Sequence, residues 1–252
     1  MKLIFTLLLF SFLFASCSET PCRNYKLNVI AEYPHDTESY TQGLFFHKGK
    51  MYETTGLRGK STLRIVDIES GEPIQSVDFD NQYFAEGSVV LGDNLYVLTW
   101  DSQVVFVYGP ESLEHKSTNP YKREGWGLTT DGQYLYASDG SATIYVMDAD
   151  LSLKRRISVR HENRPVRWLN ELEYIDGKIW ANVYTTDEIV IINPEDGRVE
   201  GLIDCSELLP RELYTLETDV LNGIAYNPQT KKIYLTGKNW PKLYEIELVE
   251  QN

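Results

Sequence analysis

Glu86 lies in the stretch Phe84-Ala85-Glu86-Gly87, an acidic residue between an aromatic and a glycine at the start of an apolar run. A carboxylate there either points to solvent at a strand end or stands in a closed, half-apolar site. In the second case lost hydration raises its pKa and suits it to acid or base chemistry near neutral pH. The stretch gains weight by recurring with other residues at the key position. Gln42-Gly43-Leu44, Glu86-Gly87-Ser88, Trp126-Gly127-Leu128, Asn170-Glu171-Leu172 and Asn222-Gly223-Ile224 each open an apolar run. Their first residues comprise one carboxylate, three amides and an indole, a set that can move one proton and hydrogen-bond a polar ligand around it.

Further along each repeat, Tyr52, Tyr96, Tyr136, Trp180 and Tyr234 occupy one position. This near-constant aromatic is expected to pack in the core between units. Four residues later come Gly56, Trp100, Gly140, Tyr184 and Lys238. With strands of matched length, this second varied set reaches the same mouth as the first. Lys238 is then either a charge beside the carboxylate or a solvated loop lysine. Asp36, Glu38, Asp101, Asp139 and Asp219 sit at strand ends, where capping and solvation are their expected roles. The four histidines, His35, His47, His115 and His161, are far apart, lack a second ligand at metal spacing and are expected in exposed loops. Phosphate loops and nucleophile elbows are absent.

The elements that must position these residues are short strands. From Tyr25 onward, β-branched and aromatic runs alternate with turn residues every eight to twelve positions. Each unit has a first strand, a turn such as His47-Lys48-Gly49-Lys50 or Asp176-Gly177, a second strand, and a third ending in a turn such as Asn193-Pro194-Glu195-Asp196-Gly197. The openings at 42, 86, 126, 170 and 222 are spaced by the length of a four-stranded propeller blade. The expected fold is all-β, a five-bladed β-propeller, with Tyr25 to Glu32 supplying a strand to the last unit and closing the ring. The best helix candidate is Ser206 to Leu216, with Ser206 as its cap.

The 252 residues are 42% apolar and 12% aromatic, enough for one sizeable domain. Residues 1–16 read as a signal peptide, residues 17–24 as a tether, and residues 25–252 as the propeller. The run Leu13-Phe14-Ala15-Ser16-Cys17 resembles a bacterial lipoprotein cleavage site, with Cys17 as the lipidated residue; this implies an exported protein of the periplasm or cell envelope, anchored to a membrane. Cys22 and Cys205 either pair or stand as separate thiols. The net charge of −13 argues against nucleic acid as a partner and favours cationic ligands, such as a peptide with a free amino terminus.

Six motifs in order carry a family resemblance: Pro34-His35-Asp36 with Tyr40-Thr41-Gln42-Gly43-Leu44, Phe84-Ala85-Glu86-Gly87, Gly125-Trp126-Gly127-Leu128, Leu169-Asn170-Glu171-Leu172, Asp219-Val220-Leu221-Asn222-Gly223, and Thr236-Gly237-Lys238-Asn239-Trp240-Pro241. Together they resemble the plant and bacterial type of glutaminyl-peptide cyclotransferase. The resemblance implies conversion of a peptide's N-terminal glutamine into pyroglutamate with loss of ammonia, and no required cofactor. It implies Glu86 as the catalytic acid–base, with Gln42, Phe84, Trp100, Trp126, Asn170 and Lys238 as further site residues. A family tryptophan falls at Tyr184, and Tyr40 takes the place of an aromatic that is often Phe. Within this scheme Lys238, with the Trp126 indole N–H or the Asn170 amide, is expected to stabilise an oxyanion. Phe84, Trp100, Tyr184, Tyr40, Gln42 and Asn222 are expected to bind substrate. Amides around Glu86 are expected to hydrogen-bond its charged form and keep it ionised near pH 7 to 8. Two other readings stand beside this one, a non-catalytic propeller that binds a cationic peptide and a calcium-dependent propeller lactonase.

Overall fold

The computed structural model describes residues 21–251, and these are almost entirely strand. Three four-stranded antiparallel sheets follow one another along the chain. The first comprises Thr41–His47, Lys50–Thr55, Thr62–Val66 and Pro73–Asp78; the second Ala85–Leu91, Asn94–Thr99, Val104–Tyr108 and His115–Pro120; the third Leu128–Thr130, Leu135–Ala137, Thr143–Met147 and Leu153–Ser158. Two-residue turns join many of the strands. In Lys48-Gly49 and Asp176-Gly177 both residues have positive φ, the geometry whose twist matches a hairpin.

Burial follows radial position. Every residue of Ala85–Leu91, the first strand of its sheet, is buried, whereas the fourth strand His115–Pro120 alternates between exposed and half-buried. The first strands are therefore innermost. Thr41–His47 lies against both Ala85–Leu91 and Leu221–Asn227, and contacts continue through Leu128–Thr130 and Leu169–Ile175 back to Leu221–Asn227. Core clusters fill the wedges between adjacent sheets, as where Phe45 and Tyr52 of the first meet Leu95 and Phe106 of the second. Tyr52, Tyr96, Tyr136, Trp180 and Tyr234 are all buried there, as their repetition predicts. The Tyr52 hydroxyl donates to the Pro110 carbonyl and that of Tyr96 to Ala149, each reaching into the next sheet.

Besides a two-stranded ribbon, Arg160–His161 with Arg164–Pro165, the remaining strands form one eight-stranded sheet in the order Leu169–Ile175, Lys178–Val183, Glu188–Ile192, Val199–Asp204, Arg23–Pro34, Lys242–Gln251, Lys232–Gly237, Leu221–Asn227. The N-terminal strand pairs antiparallel with Lys242–Gln251, as the sequence predicts, and its first residues also pair in parallel with Val199–Asp204. That second pairing has no local sequence signal, because parallel partners so far apart share no turn.

Two expectations are corrected, and the alternative left open for the cysteines is decided. Between Ser206 and Leu216 the only helical element is a single 3-10 turn, Arg211–Leu213, and Ser206 instead closes a turn on the Asp204 carboxylate. The His35 side chain is buried, and His47, His115 and His161 lie on strands rather than in loops. Cys22 and Cys205 are both free, the second fully buried, with burial pushing its thiol well above the ordinary value.

Candidate active site

In four of the innermost strands the ladder slips at the residue that opens the repeat. Pairing jumps from Thr41 to Gly43, from Ala85 to Ser88, from Leu169 to Leu172 and from Leu221 to Ile224. Each slip is a bulge, which bends the strand and re-aims the side chains it carries. Gln42, Glu86, Asn170 and Asn222 all fall within these bulges. In the third sheet Trp126 precedes the strand, held by its N–H to the Ser138 carbonyl at 3.1 Å.

A cavity of about 360 Å³ opens at this end, lined by Tyr40, Gln42, Phe84, Glu86, Trp100, Trp126, Trp168, Asn170, Tyr184 and Lys238. It gathers every site residue expected from the sequence except Asn222, and adds Trp168. Asn222 is wholly buried behind the wall, its amide donating to the Thr41 carbonyl at 2.9 Å and to Gln42 Oε1 at 3.3 Å. It therefore orients Gln42 from behind. A larger cavity of about 590 Å³ lies on the eight-stranded sheet among Arg23, Lys178, Trp180 and Ile233, remote from Glu86.

Inside the site, Glu86 is 5% and Lys238 3% exposed. Burial pushes the Glu86 carboxyl well above the ordinary range, Lys238 pulls it down, and Glu124 adds to the rise. Burial likewise lowers Lys238 from the ordinary lysine value, against the attraction of Glu86 and Asp219. Its ammonium sits 4.6 Å from the centre of the Tyr40 ring and 5.0 Å from that of Tyr184, so aromatic faces replace part of its hydration. Lys238 is thus a site residue and not a solvated one. Phe84 stands edge-on to Tyr40 and to Trp100, completing an apolar wall. Gly140, at φ +76°, leaves room for the Trp126 ring, which a Cβ there would approach to 2.8 Å.

The expected amide contacts to Glu86 are not made. Among the described residues no donor hydrogen-bonds its carboxylate, and the Asn222 amide is spent on Gln42 and Thr41. With nothing to favour the charged form except Lys238, desolvation dominates. The Trp126 indole N–H is also committed, donating to Glu124 at 3.2 Å, and the same carboxylate oxygen accepts from Trp100 at 3.1 Å. This leaves Lys238 and the Asn170 amide as the groups free to face an oxyanion.

Glu124, Trp168 and Asp219 were not singled out as site residues by sequence reasoning. Asp219 accepts the Tyr40 hydroxyl at 2.8 Å, and its backbone N–H donates to the Lys238 carbonyl at 3.0 Å. A signal for the first two existed in the register. Two positions before the openings stand Tyr40, Phe84, Glu124, Trp168 and Val220, and the carbonyls of Tyr40, Phe84, Trp168 and Val220 accept the N–H of Gly56, Trp100, Tyr184 and Lys238 in turn. Tyr40, Phe84 and Trp168 of this third ring line the cavity.

Behind Tyr40 and Gln42 lies a buried polar cluster. Glu53 accepts from Arg64 at 2.7 and 3.0 Å and from Thr41 at 2.7 Å, and lies 3.0 Å from His35 Nε2, whose Nδ1 is 2.7 Å from the Trp240 carbonyl. Burial opposes the charge on Glu53, but Arg64 and His35 outweigh it and hold the carboxyl at about 2. The Arg64 guanidinium also donates to Ser39 and Asp36. The segment leading into Gln42 is thereby fixed at Ser39 and Thr41.

The family model described as glutamine cyclotransferase matches residues 3–248. A glutaminyl-peptide cyclotransferase of Arabidopsis thaliana is 41% identical over 230 residues, covering 88% of this chain and 71% of that protein. The crystal structure of Myxococcus xanthus glutaminyl cyclase superposes with a TM-score of 0.85 at 36% identity, covering 92% of this chain and all of that one. On this match over almost the whole of its length, the chain belongs to the glutamine cyclotransferase family.

Proposed function

We propose that this chain converts the N-terminal glutamine of peptides into pyroglutamate, releasing ammonia. The observation that carries the reading is a buried carboxylate and a buried lysine, the lysine without an ion-pair partner among the described residues, facing one aromatic cavity large enough for a glutamine side chain. The attacking α-amine and the γ-carbonyl carbon belong to one residue, so confinement by Phe84, Trp126 and Tyr184 supplies much of the catalysis by folding the side chain toward ring closure. Glu86, as carboxylate, accepts a proton from the α-amine while the new N–C bond forms. Lys238 and the Asn170 amide face the negative charge that gathers on the γ-oxygen. Glu86 then returns the proton to the departing amide nitrogen, the C–N bond breaks, and ammonia leaves.

The same reading takes the ring of innermost strands as the axis of a five-bladed propeller, with the two halves of the eight-stranded sheet as its last two blades. The lipoprotein-like stretch at Cys17 lies outside the described residues. We infer from its sequence an exported protein tethered to a membrane by a lipid on Cys17, for which partition into the membrane fraction is the measurement.

Ammonia release from a Gln-initiated peptide separates cyclisation from both a silent peptide binder and a lactonase. In the same assay Glu86→Gln, which keeps shape but cannot shuttle the proton, should lower kcat by roughly 10²- to 10⁴-fold. A variant within a few-fold of the parent would remove Glu86 from the chemistry.

A further inference from the structure

We infer that Trp168 is the platform for the residue that follows the substrate glutamine, giving the enzyme a preference for peptides with an aromatic second residue. The inference rests on the cyclisation reading of the site. With the glutamine side chain folded toward Glu86, the α-carbonyl and everything beyond it must leave through the open mouth. The two exposed aromatic residues there are Trp100, 38% exposed, and Trp168, 56% exposed.

Their surroundings differ. The Trp100 indole donates to Glu124, the Arg58 guanidinium lies 5.7 Å from its ring centre, and Phe84 stands against it at 5.6 Å, so this ring is already engaged. Trp168 touches one aromatic, Trp126, at 6.3 Å with the planes tilted by 35°, and its indole N–H has no acceptor among the described residues. Its counterparts in the third ring are occupied as well. Tyr40 donates to Asp219, Phe84 packs on Trp100, and Glu124 holds two indoles.

The backbone also marks Trp168. Its φ is +66°, a left-handed conformation that a bulky residue adopts at a cost. Two backbone bonds of 2.8 Å hold it there, its N–H to the Gly140 carbonyl and its carbonyl from the Tyr184 N–H. Strain and a large apolar exposure together at a cavity rim are costs that a stacking surface for substrate accounts for. The plane suits an aromatic side chain, and its free N–H can meet the peptide carbonyl beside it.

The test compares kcat/KM for peptides beginning Gln-Phe and Gln-Gly, read as a ratio within each enzyme. Aromatic pairs of this kind contribute about 2- to 10-fold, so the parent should favour Gln-Phe by that factor. Trp168→Ala should bring the ratio to about one whatever it does to the rates themselves, and Trp168→Phe should keep most of it. A ratio unchanged in Trp168→Ala, or one that collapses only in Trp100→Ala, would overturn the assignment. Equal rates of ammonia release from both peptides would refute the platform and leave cyclisation standing. No ammonia from either would instead refute cyclisation.

Discussion

The side chains of Glu86 and Lys238 are each buried, yet neither charged group has a hydrogen-bonding partner among the described residues, so each depends on the other's charge and on what enters between them. That dependence has a sign. Lys238 lowers the carboxyl's pKa and Glu124 raises it, and only the ionised form serves as base. Lys238→Met should therefore move the acid limb of kcat/KM to higher pH, and Glu124→Gln should move it to lower pH. The substrate amine titrates identically in every variant, so profiles from about pH 5 to 9 isolate the enzyme's share. Limbs that shift together, or not at all, would show that some other group sets the profile. At this scale the sequence was partly legible. Glu86 and Lys238 could be found because the repeat assigns each to a ring. The absence of amide contacts could not, since it depends on which way Asn222 turns, and Asn222 turns to Thr41.

Glu53 and Arg64 face one another across adjacent strands of the first sheet and form a buried ion pair. Such a pair adds little over a well-packed apolar one, but removing one partner strands the other charge. Arg64→Met should cost about 3–5 kcal/mol at neutral pH. The parent's dependence on acid follows from the depressed Glu53 value. The contribution of this carboxylate is complete above its ordinary 4.5 and is lost as pH falls toward about 2. In Arg64→Met that decline should shrink, because the buried carboxyl, left with His35 and Thr41 alone, gains less from ionising. Thermal melts of both proteins between about pH 2 and 7 test this, and a variant within about 1 kcal/mol of the parent would mean that the pair holds nothing in place. The strands themselves were legible from β-branched runs and turn residues. The bulges were not, because a bulge has no residue signature beyond the Gly of Gln42-Gly43, Glu86-Gly87 and Asn222-Gly223, and glycine serves turns as readily.

Across the whole molecule, the mouth and the N-terminal end of the described chain lie at opposite ends of the strands. Lys238 follows the C-terminal end of Lys232–Gly237, whereas Arg23 and Asn24 pair at the far end of the sheet with Gly201 and Gln251. A lipid on Cys17 would hold the enzyme with its mouth facing away from the bilayer, open to peptides in solution. The expected outcome is that the protein sediments with membranes and that Cys17→Ser leaves it soluble or unprocessed. A parent found wholly in the soluble fraction would contradict the anchor. Strand pairing at this scale was half legible, since a segment near the N-terminus had to cover an edge, but its parallel pairing with Val199–Asp204 rests on contacts across most of the chain. That clasp sets a timetable. Arg23–Pro34 is made before every other described strand and Lys242–Gln251 after them, so the sheet that joins them cannot form until Lys242–Gln251 has itself been made. Until then the three consecutive sheets can each complete themselves, while Arg23–Pro34 waits with an unpaired edge for a partner some two hundred residues away.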